Sequence, residues 1–115
     1  MAAEKRDLPG GFEQLVMLAV AGLGDGAYGM TVRRALEERT GRATSLGAVY
    51  STLDRLETKG YVSSLESDAS PERGGRAKRF FRLTTPGVRA LNEGIQALDR
   101  MREGVAAVPR PARVT

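Results

Sequence analysis

The chain has 115 residues, enough for one domain, and an apolar share of 41% that suffices for a small core. Three Phe, three Tyr and no Trp make that core one of Leu, Val and Ala, so a partner is expected to complete some of its apolar surface. With no His and no Cys, the common acid–base, nucleophile, metal and disulfide constellations are missing, and neither a cofactor nor a metal site is expected.

The N-terminal stretch MAAEKRDLPGG lacks the basic-then-apolar order of a signal peptide, and residues 1–10 read as a flexible tail. From Phe12 the apolar positions Phe12, Leu15, Val16, Ala19, Val20 and Leu23 recur at helical spacing and predict a helix with a broad buried face. Its longest unbroken apolar run, Leu15 to Ala21, is far short of the roughly 20 residues that span a bilayer. A cytoplasmic protein with no membrane contact is therefore expected. Gly22, Gly24 and Gly26 stop this helix. Gly24, Gly26 and Gly29 also match the GxGxxG dinucleotide pattern, but no strand precedes them and no further βαβ unit follows, so they read as a loop between helices.

A second helix carries Tyr28, Val32, Ala35 and Leu36 inward and Arg33, Arg34, Glu37 and Glu38 outward, with Gly41 as its stop. Ser45 is the N-cap of a third, whose inward set is Leu46, Val49, Tyr50, Leu53 and Leu56 and which Gly60 ends. That leaves Gly47, Ala48, Ser51, Thr52 and Arg55 facing outward. The period then changes. Tyr61 to Leu65 reads as a strand, Glu66 to Ala77 as a long hairpin tip, and Lys78 to Thr84 as the return strand with Phe and Leu opposed to Arg. A last helix begins near Thr84 or Thr85 with Pro86 in its first turn, and its apolar positions Val88, Leu91, Ile95, Leu98 and Val105 approach a heptad seam.

Three helices, a strand, a basic wing, a strand and a helix make a mainly α (α+β) winged helix-turn-helix with a C-terminal dimerisation helix. The expected divisions are a tail at 1–10, a DNA-binding domain at 11–84, the dimerisation helix at 85–107 and a disordered tail at 108–115. In such folds the third helix enters the major groove. The small outward face of this one, beginning at Thr44, Ser45, Gly47 and Ala48, would let its N-terminus approach phosphates closely. The plainer reading is an ordinary surface helix that happens to be small.

The net charge is +4, from fifteen Arg and three Lys against fourteen acids. Taken alone, that total is equally read as solubilising charge or as attraction to a polyanion. Its distribution favours the second reading, because Arg73, Arg76, Lys78, Arg79 and Arg82 follow one another with no acid between them. The plainer reading of this run is a solvated loop. Its place on a Gly-rich tip and strand flank suits the phosphates beside a groove.

Three stretches together resemble the PadR family of transcriptional regulators: Tyr28 to Glu37, Ser45 to Val62 with its S-x-G-x-V-Y-x-x-L-x-R-L-E-x-x-G pattern, and Gly75 to Gly87 with G-R-x-x-R-F-F-R-L-T. The resemblance covers roughly Phe12 to Leu98. It implies a homodimer that binds double-stranded DNA at an inverted-repeat operator, usually as a repressor. It implies that Ser45, Gly47, Tyr50, Ser51 and Arg55 lie at the DNA face, with Arg76, Lys78 and Arg79 on the wing. Tyr50 is thus placed inward by periodicity and at the DNA by resemblance, and both remain open.

The dimer interface is expected from Phe12 and Leu15 of the first helix and from Leu91, Ile95, Leu98, Met101 and Val105 of the last. Family members that respond to phenolic acids carry a large C-terminal domain, where this chain stops after one helix. Some short members bind flat aromatic drugs between Trp residues, and this chain has none. A small-molecule effector is therefore unsupported. A winged helix used only for protein–protein contact is the alternative, and it would have been favoured by an acidic or apolar wing. An enzyme would need a catalytic set that is missing.

Overall fold

A computed structural model describes residues 8–67 and 77–105. The elements run α1 (Gly11–Leu23), a 3₁₀ turn (Gly24–Gly26), α2 (Gly29–Thr40), α3 (Leu46–Thr58), β1 (Val62–Glu66), β2 (Arg79–Leu83) and α4 (Thr85–Arg102). Residues 1–7 of the tail expected at 1–10, the last two residues expected in the final helix (106–107), the tail expected at 108–115, and most of the hairpin tip (68–76) lie outside the described residues. The two strands pair antiparallel, with Val62 opposite Leu83 and Glu66 opposite Arg79. The mainly helical winged-helix arrangement expected from the sequence is the one observed. No helix among the described residues is long and apolar enough to cross a membrane.

Local signals explain most boundaries. Gly10 precedes α1, and its amide donates to the Glu13 carboxylate at 2.9 Å, closing the first turn. Gly41 ends α2 at φ 72, a conformation a side chain would resist. The Ser45 hydroxyl accepts from the Ala48 amide at 3.0 Å at the start of α3. Thr84 caps α4 by accepting from Gly87 and ties it back by donating to the Gly60 carbonyl. Gly87 is demanded by close approach, because a Cβ there would run into the Tyr61 carbonyl.

The core gathers Val16, Met17 and Val20 of α1, Val32 and Leu36 of α2, and Val49, Leu53 and Leu56 of α3. Val62, Phe81 and Leu91 close it from the sheet and α4. Burial of these side chains is the main force holding the helices together, at about 1.5–3 kcal/mol for each large one. The second edge of β2 is covered by the segment before α2, where the Phe81 amide donates to the Ala27 carbonyl at 2.8 Å.

Several expectations are corrected here. The buried stripe of α1 is Glu13, Val16, Met17 and Val20, rotated from the predicted face, and Leu15 and Leu18 are left exposed. In the return strand the two phenylalanines do not share a face. Consecutive strand residues alternate, so Phe81 is buried while Phe80 turns outward beside Tyr28. The N-terminal tail gives way to ordered chain before Gly11, since Pro9 is buried and its carbonyl accepts from Gln14 Nε2 at 3.1 Å. The last helix stops at Arg102 rather than 107: Glu103 is extended and Gly104 is left-handed at φ 81.

Candidate nucleic-acid interface

Helix α3 presents to solvent a face formed by Gly47, Tyr50, Ser51, Asp54 and Arg55. Its buried side is Val49, Thr52, Leu53 and Leu56. The face is therefore turned about one residue from the predicted one, and two residues change sides. Thr52 is 2% exposed, because it follows Val49 and precedes Leu56 on the core stripe, and its hydroxyl accepts from Arg55 Nη2 at 3.3 Å. It is withdrawn from the DNA-facing set. Tyr50 is 36% exposed and not part of the core. Its ring lies across the start of α2, where any side chain at position 29 would overlap it, so Gly29 makes room for Tyr50.

The front of α3 is open. Ser45, Gly47, Ala48 and Ser51 are exposed, and Thr44 is half-buried, its amide donating to Glu37 Oε2 at 3.0 Å. A Cβ built on Gly47 meets nothing within 4 Å, so the fold has no need of glycine at that point. The Ala48 amide is taken up by the Ser45 cap, which removes it from the donors a phosphate could use.

Two of the predicted basic contacts are held by carboxylates of the chain itself. Arg55 Nε pairs with Glu13 Oε2 at 3.2 Å. Lys59 Nζ reaches the same carboxylate at 3.2 Å, so Glu13 of α1 ties down one cation of α3 and another at its C-terminal cap. Burial raises the Glu13 pKa, but the Gly10 amide, Lys59 and Arg55 together outweigh it and hold the carboxyl below its ordinary value. Arg79 Nη1 pairs with Asp54 Oδ1 at 2.9 Å, and its Nη2 pairs with Glu57 Oε1. Arg79 thus lies between the wing and α3 and is not turned outward, contrary to the expectation of a freely placed phosphate contact.

Lys78 differs from its neighbour. Its ammonium sits 4.1 Å from the centre of the Tyr28 ring, on the outward face of β2 that it shares with Phe80 and Arg82. Arg82 is largely exposed, with a long 3.7 Å approach to Asp25. Arg34 of α2 and Arg42 of the following loop are exposed as well. Arg73 and Arg76, predicted for the wing tip, lie outside the described residues.

The sequence model of the Transcriptional regulator PadR-like family matches residues 17–93. The chain belongs to that family. The family is one of DNA-binding transcriptional regulators. A PadR-like transcription factor structure from Bacteroides fragilis shares 22% identity, at TM-score 0.71, over 82% of this chain and 85% of that one. A PadR family regulator from Eggerthella lenta shares 27% identity at TM-score 0.65, over 80% and 78% of the two chains. A PadR-like regulator from Bacillus cereus shares 18% at TM-score 0.66, over 82% and 86%. No curated protein matches this sequence.

Sequence reasoning missed Glu13, Asp54 and Glu57. Glu13 had one available signal, its position three residues after Gly10 at a helix start. Asp54 was legible as the residue three beyond Ser51 on the same helical face. Nothing local marked Glu57 as a partner of Arg79, 22 residues further on.

Proposed function

We propose that this PadR-like protein is a homodimeric repressor that reads an inverted-repeat operator with the open face of α3. The observation that carries the reading is the combination at that face: Gly47 with free space in front of it, small neighbours, and Lys78 and Arg82 on the outward side of the wing. A helix N-terminus with no bulk in front of it can approach a groove closely, and its residues Ser51 and Tyr50 would offer hydroxyls to base edges or phosphates. Lys78 and Arg82, together with Arg73 and Arg76 earlier in the same basic run of the sequence, would supply the salt-dependent part of the affinity.

Dimerisation is inferred from apolar surface that one copy leaves uncovered. Leu98 and Met101 at the end of α4 are 56% and 78% exposed, Val105 just beyond it is 50% exposed, and Leu15 and Leu18 are 41% and 46% exposed on α1. Phe12 and Ile95 are half-buried and lie at the edge of the core. Leu91 is only 5% exposed and packs in its own chain's core, so it leaves the expected interface set. Val88, 45% exposed, and Leu18 join it. Two copies packed through these faces would place the α3 helices about one turn of DNA, 34 Å, apart.

The test is a salt titration of binding to a short random-sequence duplex, run beside sedimentation of the parent and of Leu98→Glu. The reading expects affinity that falls steeply with salt, a parent dimer, and a monomeric variant that binds far more weakly. Salt-independent binding or none would instead favour a protein–protein module, and a dimer that survives Leu98→Glu would move the interface elsewhere.

A further inference from the structure

We propose that Arg79 is a positioning residue, the strut that fixes the wing against α3 by holding the two carboxylates, Asp54 and Glu57, that α3 turns toward it. This assignment deepens the DNA-binding reading above and rests on it for its consequence, though not for its geometry. Strand alternation makes the placement. Arg79 shares a face of β2 with Phe81, which is buried, whereas Lys78, Phe80 and Arg82 lie on the other. The guanidinium carbon stands 4.8 Å from the centre of the Phe81 ring. From there one nitrogen donates to Asp54 Oδ1 at 2.9 Å and a second to Glu57 Oε1. The other Glu57 oxygen accepts from the Ser64 hydroxyl of β1 at 2.6 Å. Four side chains thus join α3 to both strands of the wing.

The chemistry suits arginine. A planar fork can serve two separate carboxylates at once, and a lysine ammonium, a compact point charge on a flexible stem, cannot reproduce both directions. The charge balance also speaks against a phosphate role. One cation lies between two anions, so this cluster carries a net negative charge and adds no attraction for DNA. Burial pulls the Arg79 pKa down, yet Asp54 and Glu57 more than reverse it, and Glu57 is held low first by Ser64 and then by Arg79. Arg79 therefore acts on binding by aiming the wing, with its own charge spent on Asp54 and Glu57.

The experiment uses the full chain in five forms: parent, Arg79→Gln, Arg79→Lys, Lys78→Gln and the double variant Asp54→Asn with Glu57→Gln. Amide hydrogen exchange without DNA reads the strut directly. Exchange of the amides at 62–66 and 79–83 should quicken in both Arg79 variants, and in Asp54→Asn with Glu57→Gln, but not in Lys78→Gln. Salt titration on a random-sequence duplex reads the consequence. Arg79→Gln should weaken binding about tenfold or more with the slope of log affinity against log salt unchanged, whereas Lys78→Gln should lower that slope by about 1. Arg79→Lys should fail to restore the parent affinity. The proposal is overturned if Arg79→Gln leaves exchange unchanged and lowers the slope as Lys78→Gln does, or if Arg79→Lys binds like the parent. A parent that binds no DNA would sink the DNA reading alone, and the exchange data would still decide the strut.

Discussion

Replacing Gly47 with alanine separates what the fold needs from what DNA binding needs. Gly47 is the second residue of α3, its φ is not positive, and a Cβ there meets nothing within 4 Å. Glycine inside a helix is less stable than alanine by about 0.5–1 kcal/mol, because it loses more backbone freedom on folding. Gly47→Ala should therefore stabilise the protein by up to about 1 kcal/mol, which for a domain of this size raises Tm by roughly 4–8 °C. At a groove the same methyl enters space reserved for the nucleic acid. Forcing an extra carbon into a close-packed contact costs about 1–3 kcal/mol, so affinity should fall by about tenfold or more. Gly47→Leu extends the test, since its longer side chain projects into solvent in the free protein and should abolish binding. Thermal unfolding by circular dichroism and fluorescence anisotropy with a labelled duplex at fixed salt read the two effects separately. If both variants bind like the parent, α3 does not approach DNA through this face. A fall in Tm would refute the open space before Gly47.

Other consequences follow from named contacts. Glu13→Gln should lower stability by about 1–3 kcal/mol, because it removes the anion that a largely buried site offers to Arg55 and Lys59; chemical denaturation of both forms measures it. The Glu13 pKa is depressed in the folded state, so its contribution is present above the unfolded carboxylate value of about 4.3 and is lost as pH falls through the folded value. Stability of the parent should thus fall more steeply on acidification than that of Glu13→Gln, and parallel curves would contradict the assignment. Gly87→Ala should destabilise by about 1–3 kcal/mol, since its methyl would displace the Tyr61 carbonyl that seats α4, and an unchanged Tm would count against that packing. Thr52→Ala should lower Tm while leaving the salt slope of DNA binding at the parent value, and a flatter slope would return Thr52 to the interface.

Element order was legible in the sequence because its signals are local. Ser45, Gly41, Thr84 and Pro86 each satisfy or terminate backbone hydrogen bonding within a few residues of themselves, and the structure uses them as their chemistry suggests. Facing was less legible. Around a helix the apolar stripe is broad, and a shift of one residue moves the helical wheel by about 100°, which is enough to exchange Thr52 for Tyr50. In β2 the run Lys78, Arg79, Phe80, Phe81, Arg82 reads as one basic patch, yet alternation divides it between solvent and α3. The partners of Glu13 lie 42 and 46 residues away, so no window of sequence could connect them. The one visible clue was the place of Glu13 three residues after Gly10 at a helix start. Leu98 and Met101 are uncovered on α4, whereas Leu91 on the same helix, expected with them at the interface, belongs to its own chain's core.

The central claim is that two copies of this chain present α3 to a twofold-symmetric DNA site. Selection of bound duplexes from a random pool by the full-length protein tests it most directly. The account predicts enrichment of an inverted repeat whose half-sites are centred about one helical turn apart, roughly 10 base pairs. Enrichment of a single unrepeated element, or no enrichment above the starting pool, would contradict it.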